Sequence, residues 1–503
     1  MDVVFWNGGI VWDMLARYIG PYKISHWIKK SGYSSQVIDF VDDLSEEQLL
    51  AASFKFITNK TKVVAISMTF ISNNEYKWNS GASARIPEHC FKVLKQIKQK
   101  YPNIKFIVGG YMSDRVSGWG IIDATIMSYT TASEDIFVEY LDHLTKGTQK
   151  PMGQLIMPSF GKNYMITKHR MHYNQAREPK YNIETDDFKF TKQDVILPGE
   201  PLPLDVSRGC IFACKFCQYP HLGKKKLDYI RGMSYLEDEL NYNYETFGTT
   251  KYYILDDTFN DTETKMQEFY DMTQRLTFNI TFSAYLRADL IHRFPNTAYL
   301  LQESGLYGAY HGIETLHPAA SNLVGKAWSG KHAKTWIPEL YHNIWKNKVP
   351  MHTNFIVGIT GDTEQNVRDT VTWYRDNQLH SIQFNALGLY GPNNGTSNYT
   401  LQSEFDKNAG KYGYTFKAEE GEQYRPWKND NWTTESAVRL VKELTKMVKP
   451  YKRVNTWPVQ SLLWYGFTKQ ELDNTPHVDL DWQMVKDKSK IFLNLYFTNL
   501  MAI

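Results

Sequence analysis

Cysteine is scarce in this sequence: four residues in 503, at positions 90, 210, 214 and 217. A secreted disulfide scaffold concentrates far more cysteine in a much shorter chain, so a framework of bridges is excluded. Long hydrophobic runs are missing too. No stretch of about 18 apolar residues occurs, which excludes a membrane-spanning helix. Residues 1–10 have neither the basic start nor the apolar stretch of a secretory signal, so a reducing cytoplasm is the expected compartment. Charge of one sign is not in excess: 57 Lys and Arg against 54 Asp and Glu leave +3. That balance supplies no global field for nucleic acid, though a local basic groove stays open.

What is present is ordinary for a large globular chain, with 42% hydrophobic and 22% charged residues, and enough length for several cores. Residues 1–145 alternate strand-like and helix-like patterns. Strands are expected at 2–6, 36–40, 62–70, 105–108 and 124–127, and helices at 11–30, 87–101 and 134–144. This alternation predicts an α/β fold, a doubly wound, Rossmann-like parallel sheet. Asn7-Gly8-Gly9 and Gly109-Gly110 fall at strand carboxyl ends, where they serve either as ligand loops or as plain tight turns. Residues 146–200 lose periodicity and read as a solvated linker. From 201 to 400 the alternation returns, with strands expected at 204–207, 252–255, 281–285, 308–312, 352–357 and 381–387. Six βα units in series predict a partial (β/α)6 barrel with its chemistry at the strand carboxyl ends. Residues 401–503 form an aromatic-rich, mainly helical region with a helix at 434–448.

Three of the four cysteines lie in one segment, Asp-Val-Ser-Arg-Gly-Cys210-Ile-Phe-Ala-Cys214-Lys-Phe216-Cys217. A loop after a strand can fold three thiolates around one point. Three ligands suit an iron–sulfur cube with one iron left for substrate. A zinc site is the other reading. His221 follows four residues later, and Cys210, Cys214, Cys217 and His221 make a Cys3His set. Cys90 stands apart in an amphipathic helix beside Phe91, as a packed core thiol.

The C-x3-C-x2-C spacing after a first strand, with the aromatic Phe216 before the last cysteine, resembles the radical S-adenosylmethionine superfamily. The resemblance implies a [4Fe–4S] cluster on Cys210, Cys214 and Cys217. It implies an open iron that chelates the amino and carboxylate groups of S-adenosylmethionine, and reductive cleavage to methionine and a 5′-deoxyadenosyl radical. Phe216 would lie against the adenine. Later segments are similar to the family's cosubstrate contacts. Leu255-Asp256-Asp257-Thr258-Phe259 offers Asp256 or Asp257 to the methionine ammonium. Ser283-Ala-Tyr-Leu-Arg287-Ala-Asp289 offers Arg287 to the carboxylate. Gly312-Ile313-Glu314-Thr315 resembles a fourth-strand signature whose Glu contacts the cosubstrate. The run from Asn354 to Thr363 resembles the segment that packs Ile356 and Val357 on adenine, with Thr360 where relatives often carry proline. An electron donor such as flavodoxin or ferredoxin is implied as a partner.

A doubly wound domain before such a barrel resembles the cobalamin-binding subgroup. The D-x-H-x-x-G motif of a lower cobalt ligand is absent, which leaves cobalamin open. The expected function is therefore a radical enzyme with one cluster, since Cys90 alone cannot support a second. Hydrogen abstraction, cobalamin-dependent methylation and rearrangement all remain open. The alternative is a zinc-stabilised module that binds nucleic acid or protein without catalysis. The substrate, small molecule or biopolymer, does not follow from the sequence. His221, Lys224, Lys225 and Lys226, then Asn393, Asn394 and Tyr399, are polar candidates near the barrel mouth. Trp427, Trp432, Trp457 and Trp464 either close over it or simply pack.

Overall fold

The structure is a computed structural model of the chain. It describes residues 1–11, 14–67, 87–110, 121–126, 132–151, 154–156, 160–161, 164–165, 170–173, 180–217, 229–326, 329–389, 391, 402–416 and 426–503. The chain divides into two compact units. The first holds Met1–Pro203, Glu239–Thr249 and Gln483–Ile503; the second holds Leu204–Asp238 and Thr250–Trp482.

In the first unit, strands β1 (Val3–Trp6), β2 (Ser35–Ile38), β3 (Val63–Ser67), β4 (Lys105–Gly109), β5 (Ala124–Ile126), β6 (Gln154–Ile156) and β7 (Arg170–Tyr173) make one sheet. Its order is β2-β1-β3-β4-β5-β7-β6. The pairs β1–β2, β1–β3, β3–β4, β4–β5 and β5–β7 are parallel, and β6 runs antiparallel to β7. β1 and most of β3 are buried on both faces, as a parallel sheet under two helical layers requires. The strand order reverses between β1 and β3, the topological switch point of a doubly wound sheet.

Helices α1 (Ile19–Lys30), α2 (Glu46–Phe56), α3 (Glu88–Lys100) and α4 (Ala132–Lys146) connect these strands. The helix expected from residue 11 starts at Ile19, because Ile10–Val11 and Met14–Leu15 pair as a short antiparallel ribbon. Pro21 falls in the first turn, where a missing N–H breaks no helical bond. Ser45 and Gln48 close α2 with a reciprocal capping box, which the hydrophobic pattern did not announce.

The solvated linker expected at 146–200 is not what forms. β6 and β7 extend the sheet, and Tyr181, Phe188, Phe190 and Leu197 are buried. Aromatic rings without helical or strand spacing supply the reason. Tyr22 of α1 meets Phe190 at 4.9 Å and Trp27 meets Tyr181 at 5.5 Å.

In the second unit, β8 (Leu202–Leu204), β9 (Lys251–Ile254), β10 (Thr281–Leu286), β11 (Leu306–Glu314), β12 (Met351–Val357) and β13 (Ser381–Ala386) form a six-stranded sheet in chain order. The pairs from β9 to β13 are parallel. Sequential parallel strands with intervening helices are the pattern of a (β/α) barrel, here six-stranded and therefore partial. The expected helices appear as α5 (Met233–Phe247), α6 (Glu263–Arg275), α7 (Glu364–Asp376) and α8 (Thr434–Val448). Thr262, Thr363 and Thr433 cap α6, α7 and α8 with their side chains. The last helix, α9 (Trp482–Ala502), belongs from Gln483 onward to the first unit.

One face of the barrel strands is fixed by its aromatic neighbours. Phe282 of β10 packs on Phe269 of α6 at 5.6 Å, and Phe355 of β12 packs on Trp373 of α7 at 6.3 Å. Side chains alternate along a strand. Ser283, Tyr285, His352, Asn354 and Ile356 therefore face the opposite side, into the barrel.

Candidate active site

The cysteine loop leaves β8 at a buried carboxylate. Asp256 Oδ1 accepts from Val206 N at 3.1 Å and Ser207 N at 2.8 Å. Its Oδ2 accepts from Ser207 Oγ at 2.5 Å and Lys265 Nζ at 2.7 Å. These bonds end β8 at Leu204, earlier than the sequence suggests. They also correct the expected role of Asp256. Each oxygen already holds two donors and the side chain is fully buried, so no lone pair is left for an ammonium. Burial raises its carboxyl above the ordinary range, with Lys265 opposing. Asp257 is half-buried instead. Burial and then the charge of Asp257 push the Tyr285 phenol up to about 12, so Asp257 acts on the barrel side.

Gly209 has φ 77, the left-handed conformation that turns the chain into Cys210. The loop is pinned at Lys215, whose N donates to Val324 O at 2.8 Å and whose O accepts from Phe405 N at 3.0 Å. Cys210 Sγ lies 3.4 Å from Thr258 Oγ1, and Cys217 N donates to Cys214 O at 3.1 Å. All three cysteines are partly exposed, and so is Phe216. Burial raises the Cys214 thiol; Lys326 and Arg287 pull it down, while Glu314 and Cys210 push it up.

Among the described residues, the three sulfurs do not all lie within 4.8 Å of one another. His221, the fourth zinc ligand of the alternative reading, lies outside the described residues, as do Lys224, Lys225, Lys226, Asn393, Asn394 and Tyr399.

Arg287 does not present an unengaged guanidinium to a carboxylate, which corrects that expectation. Its Nε and Nη2 donate to Asp289 at 3.0 and 2.6 Å. Its plane lies over the Phe212 ring at 4.0 Å, and Nη1 approaches Cys214 Sγ at 3.8 Å. Glu314 is likewise engaged. It sits at φ 69, where the register of β11 against β12 shifts, and Lys326 Nζ donates to its Oε1 at 2.6 Å. Lys326 also donates to Gly312 O. A cation is thus held on each side of Cys214, and the sequence reading missed Lys326 and Asp289.

Of the two adenine candidates, Ile356 faces the barrel at 9% exposure. Val357 alternates to the helical side and is fully buried, so its side chain cannot pack on a ligand there. Beyond β12, Tyr414 Oη accepts from Thr360 N at 3.2 Å and donates to Gly358 O at 3.2 Å. Thr360 Oγ1 donates to Tyr412 O at 2.7 Å. Gly358, at φ 112, lies against Trp427, whose ring would stand 2.4 Å from a Cβ there. Trp427 Nε1 donates to Leu387 O and Trp432 Nε1 to Asp362 O, both at 2.9 Å. These two tryptophans brace the ends of β12 and β13. Trp457 packs against Tyr253 and Tyr285 at 5.6 and 5.3 Å, and Trp464 against Tyr465 at 5.7 Å.

The carboxyl edge of the first unit is a second candidate site. Asn7 is buried, its Nδ2 donating to Asp39 Oδ1 at 2.7 Å and Tyr18 O at 3.0 Å. A Cβ on Gly9 would stand 2.6 Å from the Phe40 ring, so packing alone demands that glycine. Gly110, at φ 96, turns the chain after β4. The segments that follow β3, β4 and β5 lie outside the described residues. Asp42, at the same edge after β2, has a buried Oδ1 without a partner. Burial and the charge of Asp43 push its carboxyl up to about 8, against backbone N–H groups of Asp42 and Gly9 that favour the charged form. Cys90 is fully buried, with Sγ at 3.2 Å from Val41 O.

Comparison with known proteins follows this geometry. Residues 204–374 match the family model of the radical SAM superfamily. No curated protein matches the chain. Among solved structures, the radical S-adenosylmethionine methyltransferase TsrM from Kitasatospora setae, with tryptophan substrate and a SAM analog bound, is similar at a TM-score of 0.60. The identity is 11%, over 98% of this chain and 99% of that chain. OxsB, a cobalamin-dependent S-adenosylmethionine radical enzyme with aqua-cobalamin bound, is similar at 0.58 with 12% identity, over 99% of this chain and 75% of that one. At such identities the likeness is one of fold. Residues 204–374 match the radical SAM superfamily model, and the chain as a whole shares the fold of the cobalamin-dependent radical SAM enzymes of known structure.

Proposed function

We propose that this chain is a radical SAM enzyme with a single [4Fe–4S] cluster on Cys210, Cys214 and Cys217, and that it carries cobalamin and transfers a methyl group. The observation that carries the reading is the set of three thiols on one pinned loop at the end of β8, with Arg287 Nη1 at 3.8 Å from Cys214 Sγ and the charge of Lys326 acting on the same thiol. When bound, the cluster and cobalamin supply the electron and the methyl carrier that no side chain provides. The chain's own residues bind and orient. Arg287, fixed by Asp289, and Lys326, fixed by Glu314, offset negative charge on the thiolates. Asp257 is the carboxylate for the methionine ammonium, and Phe216 and Ile356 are the apolar surfaces for adenine.

For cobalamin, the supporting observation is the doubly wound sheet with its switch point between β1 and β3. Asp42 adds a buried carboxyl group at that edge, suited to a ligand rimmed with carboxamides. A small electron carrier such as flavodoxin or ferredoxin completes the system; no helix among the described residues is long and apolar enough to cross a membrane. The test is an anaerobic assay with a chemical reductant, scoring S-adenosylmethionine consumption with and without added cobalamin. Consumption that requires the cluster and produces S-adenosylhomocysteine only with cobalamin supports the reading. Consumption indifferent to cobalamin removes the methyl-transfer part.

A further inference from the structure

The barrel face of β12 and β13 carries a chain of carboxamides. Asn354 and Gln383 are register partners, as are Ile356 and Asn385. Asn385 Nδ2 donates to Asn354 Oδ1 at 2.5 Å, and Gln383 Nε2 donates to Asn385 Oδ1 at 3.0 Å. All three are half-buried. Within the described residues Asn354 Nδ2 keeps both hydrogens uncommitted. Gly312, at the approach to Glu314, pairs with Asn354 across β11 and β12. The amides therefore begin one strand, about 4.8 Å, from the site beside Cys214 and extend to roughly 10 Å from it.

One level deeper, Tyr285, Tyr310 and His352 form a row. Tyr285 meets Tyr310 at 4.6 Å, and Tyr310 stacks on His352 at 4.6 Å. The row is neutral near pH 7. Burial raises both phenols and pushes His352 down to about 3. His352 Nδ1 is 2.9 Å from Ser381 Oγ, while its Nε2 is buried without a partner. Gly308 is pressed against Thr456 O, 2.9 Å from where a Cβ would stand, so the 456–457 segment closes this face from below. The amides and the rings thus share one face of the barrel strands, with Gln383 reaching His352. Lys326 and Arg287 already face Glu314 and Asp289, and the charge of Lys452 is felt at His352.

We infer that Asn354, Gln383 and Asn385 form the recognition surface for the acceptor substrate and select a neutral planar group that both donates and accepts hydrogen bonds, of the amide or nitrogen-heterocycle class. The inference rests on the radical SAM reading. Carboxamides offer both functions and no net charge. A carboxylate or phosphate would lose hydration beside the amides while Arg287 and Lys326 stay paired with their own carboxylates, whereas a flat ring would gain the aromatic row.

The test uses the anaerobically reconstituted full chain and equilibrium dialysis. S-adenosylmethionine binding is measured first, then benzamide, uracil and the charged isostere benzoate. Benzamide and uracil are expected to bind at least tenfold more tightly than benzoate. The Asn354→Leu/Gln383→Leu double variant is expected to lose that preference while holding S-adenosylmethionine within twofold of the wild type. Asn354→Asp, a smaller change, is expected to weaken benzamide at least fivefold. Equal binding of benzoate, unchanged benzamide binding in the variants, or no probe binding to a chain that does bind S-adenosylmethionine overturns the inference. A wild-type chain that binds no S-adenosylmethionine overturns the enzyme reading and this one with it.

Discussion

Arg287 turns Nη1 to 3.8 Å from Cys214 Sγ while Asp289 grips the rest of its guanidinium at 2.6 and 3.0 Å. A buried cation is thereby aimed at a thiol that becomes a thiolate once it ligates metal. Removing the arginine leaves Asp289 buried and unpaired, a loss of about 3–5 kcal/mol for a broken buried pair. Arg287→Met should lower the denaturation midpoint accordingly. Arg287→Met/Asp289→Leu should recover most of that stability, yet both variants should lose iron to a chelator faster than the wild type. Equal chelator rates would dissociate Arg287 from the cysteine site.

Asp256 and Asp257 are adjacent, and the structure separates them. Asp256→Asn removes one of the two carboxylates paired with the fully buried Lys265, Asp261 remaining at 3.3 Å, and breaks a buried hydrogen-bonded network, at a cost of about 1–3 kcal/mol. It should unfold early and incorporate less metal. Asp257→Asn, at a half-buried position, should destabilise the fold less than Asp256→Asn does. It should raise the dissociation constant for S-adenosylmethionine about tenfold, the weight of one charge-assisted hydrogen bond. Dialysis and thermal melts on the two variants decide whether the roles divide this way.

The division was not legible in the sequence, because Asp256-Asp257 reads as two equivalent carboxylates. Which one faces inward is set by Ser207 and Lys265, which lie 49 residues before Asp256 and 9 residues after it. The cysteine spacing and the strand–helix alternation were legible, because a loop's ligands and a strand's period are local. Partners brought in from other elements were not: Lys326 for Glu314, or the amides of β12 and β13. The stretch 146–200 misled for a related reason. Its aromatic residues bury against α1 without any period of their own.

Thr360 makes two hydrogen bonds just beyond β12. Thr360→Pro removes both the N–H bond to Tyr414 Oη and the hydroxyl bond to Tyr412 O. The expected loss is about 1–3 kcal/mol. Trp427→Ala removes the ring packed on Gly358 and should cost about 3–5 kcal/mol. Calorimetric midpoints of both variants check the bracing of the β12 end by residues 412–432.

Asp42 makes the first unit's stability pH-dependent. Its folded carboxyl, pushed up to about 8 from the ordinary 3.8, binds its proton more tightly than the unfolded chain does. Its contribution is fully present below about pH 4 and is lost as pH rises through about 8. The wild type should therefore lose several degrees of melting temperature between pH 6 and 9, and Asp42→Asn should lose less. A variant with an unchanged pH slope would contradict the buried, neutral Asp42.

The central claim is that Cys210, Cys214 and Cys217 hold one cube and no other cluster. It is tested most directly by iron, sulfide and zinc analysis of anaerobically prepared protein. The account predicts about four irons and four sulfides per chain, absent when Cys214 is replaced by alanine and unaffected by Cys90→Ala. One zinc per chain with no iron would contradict it.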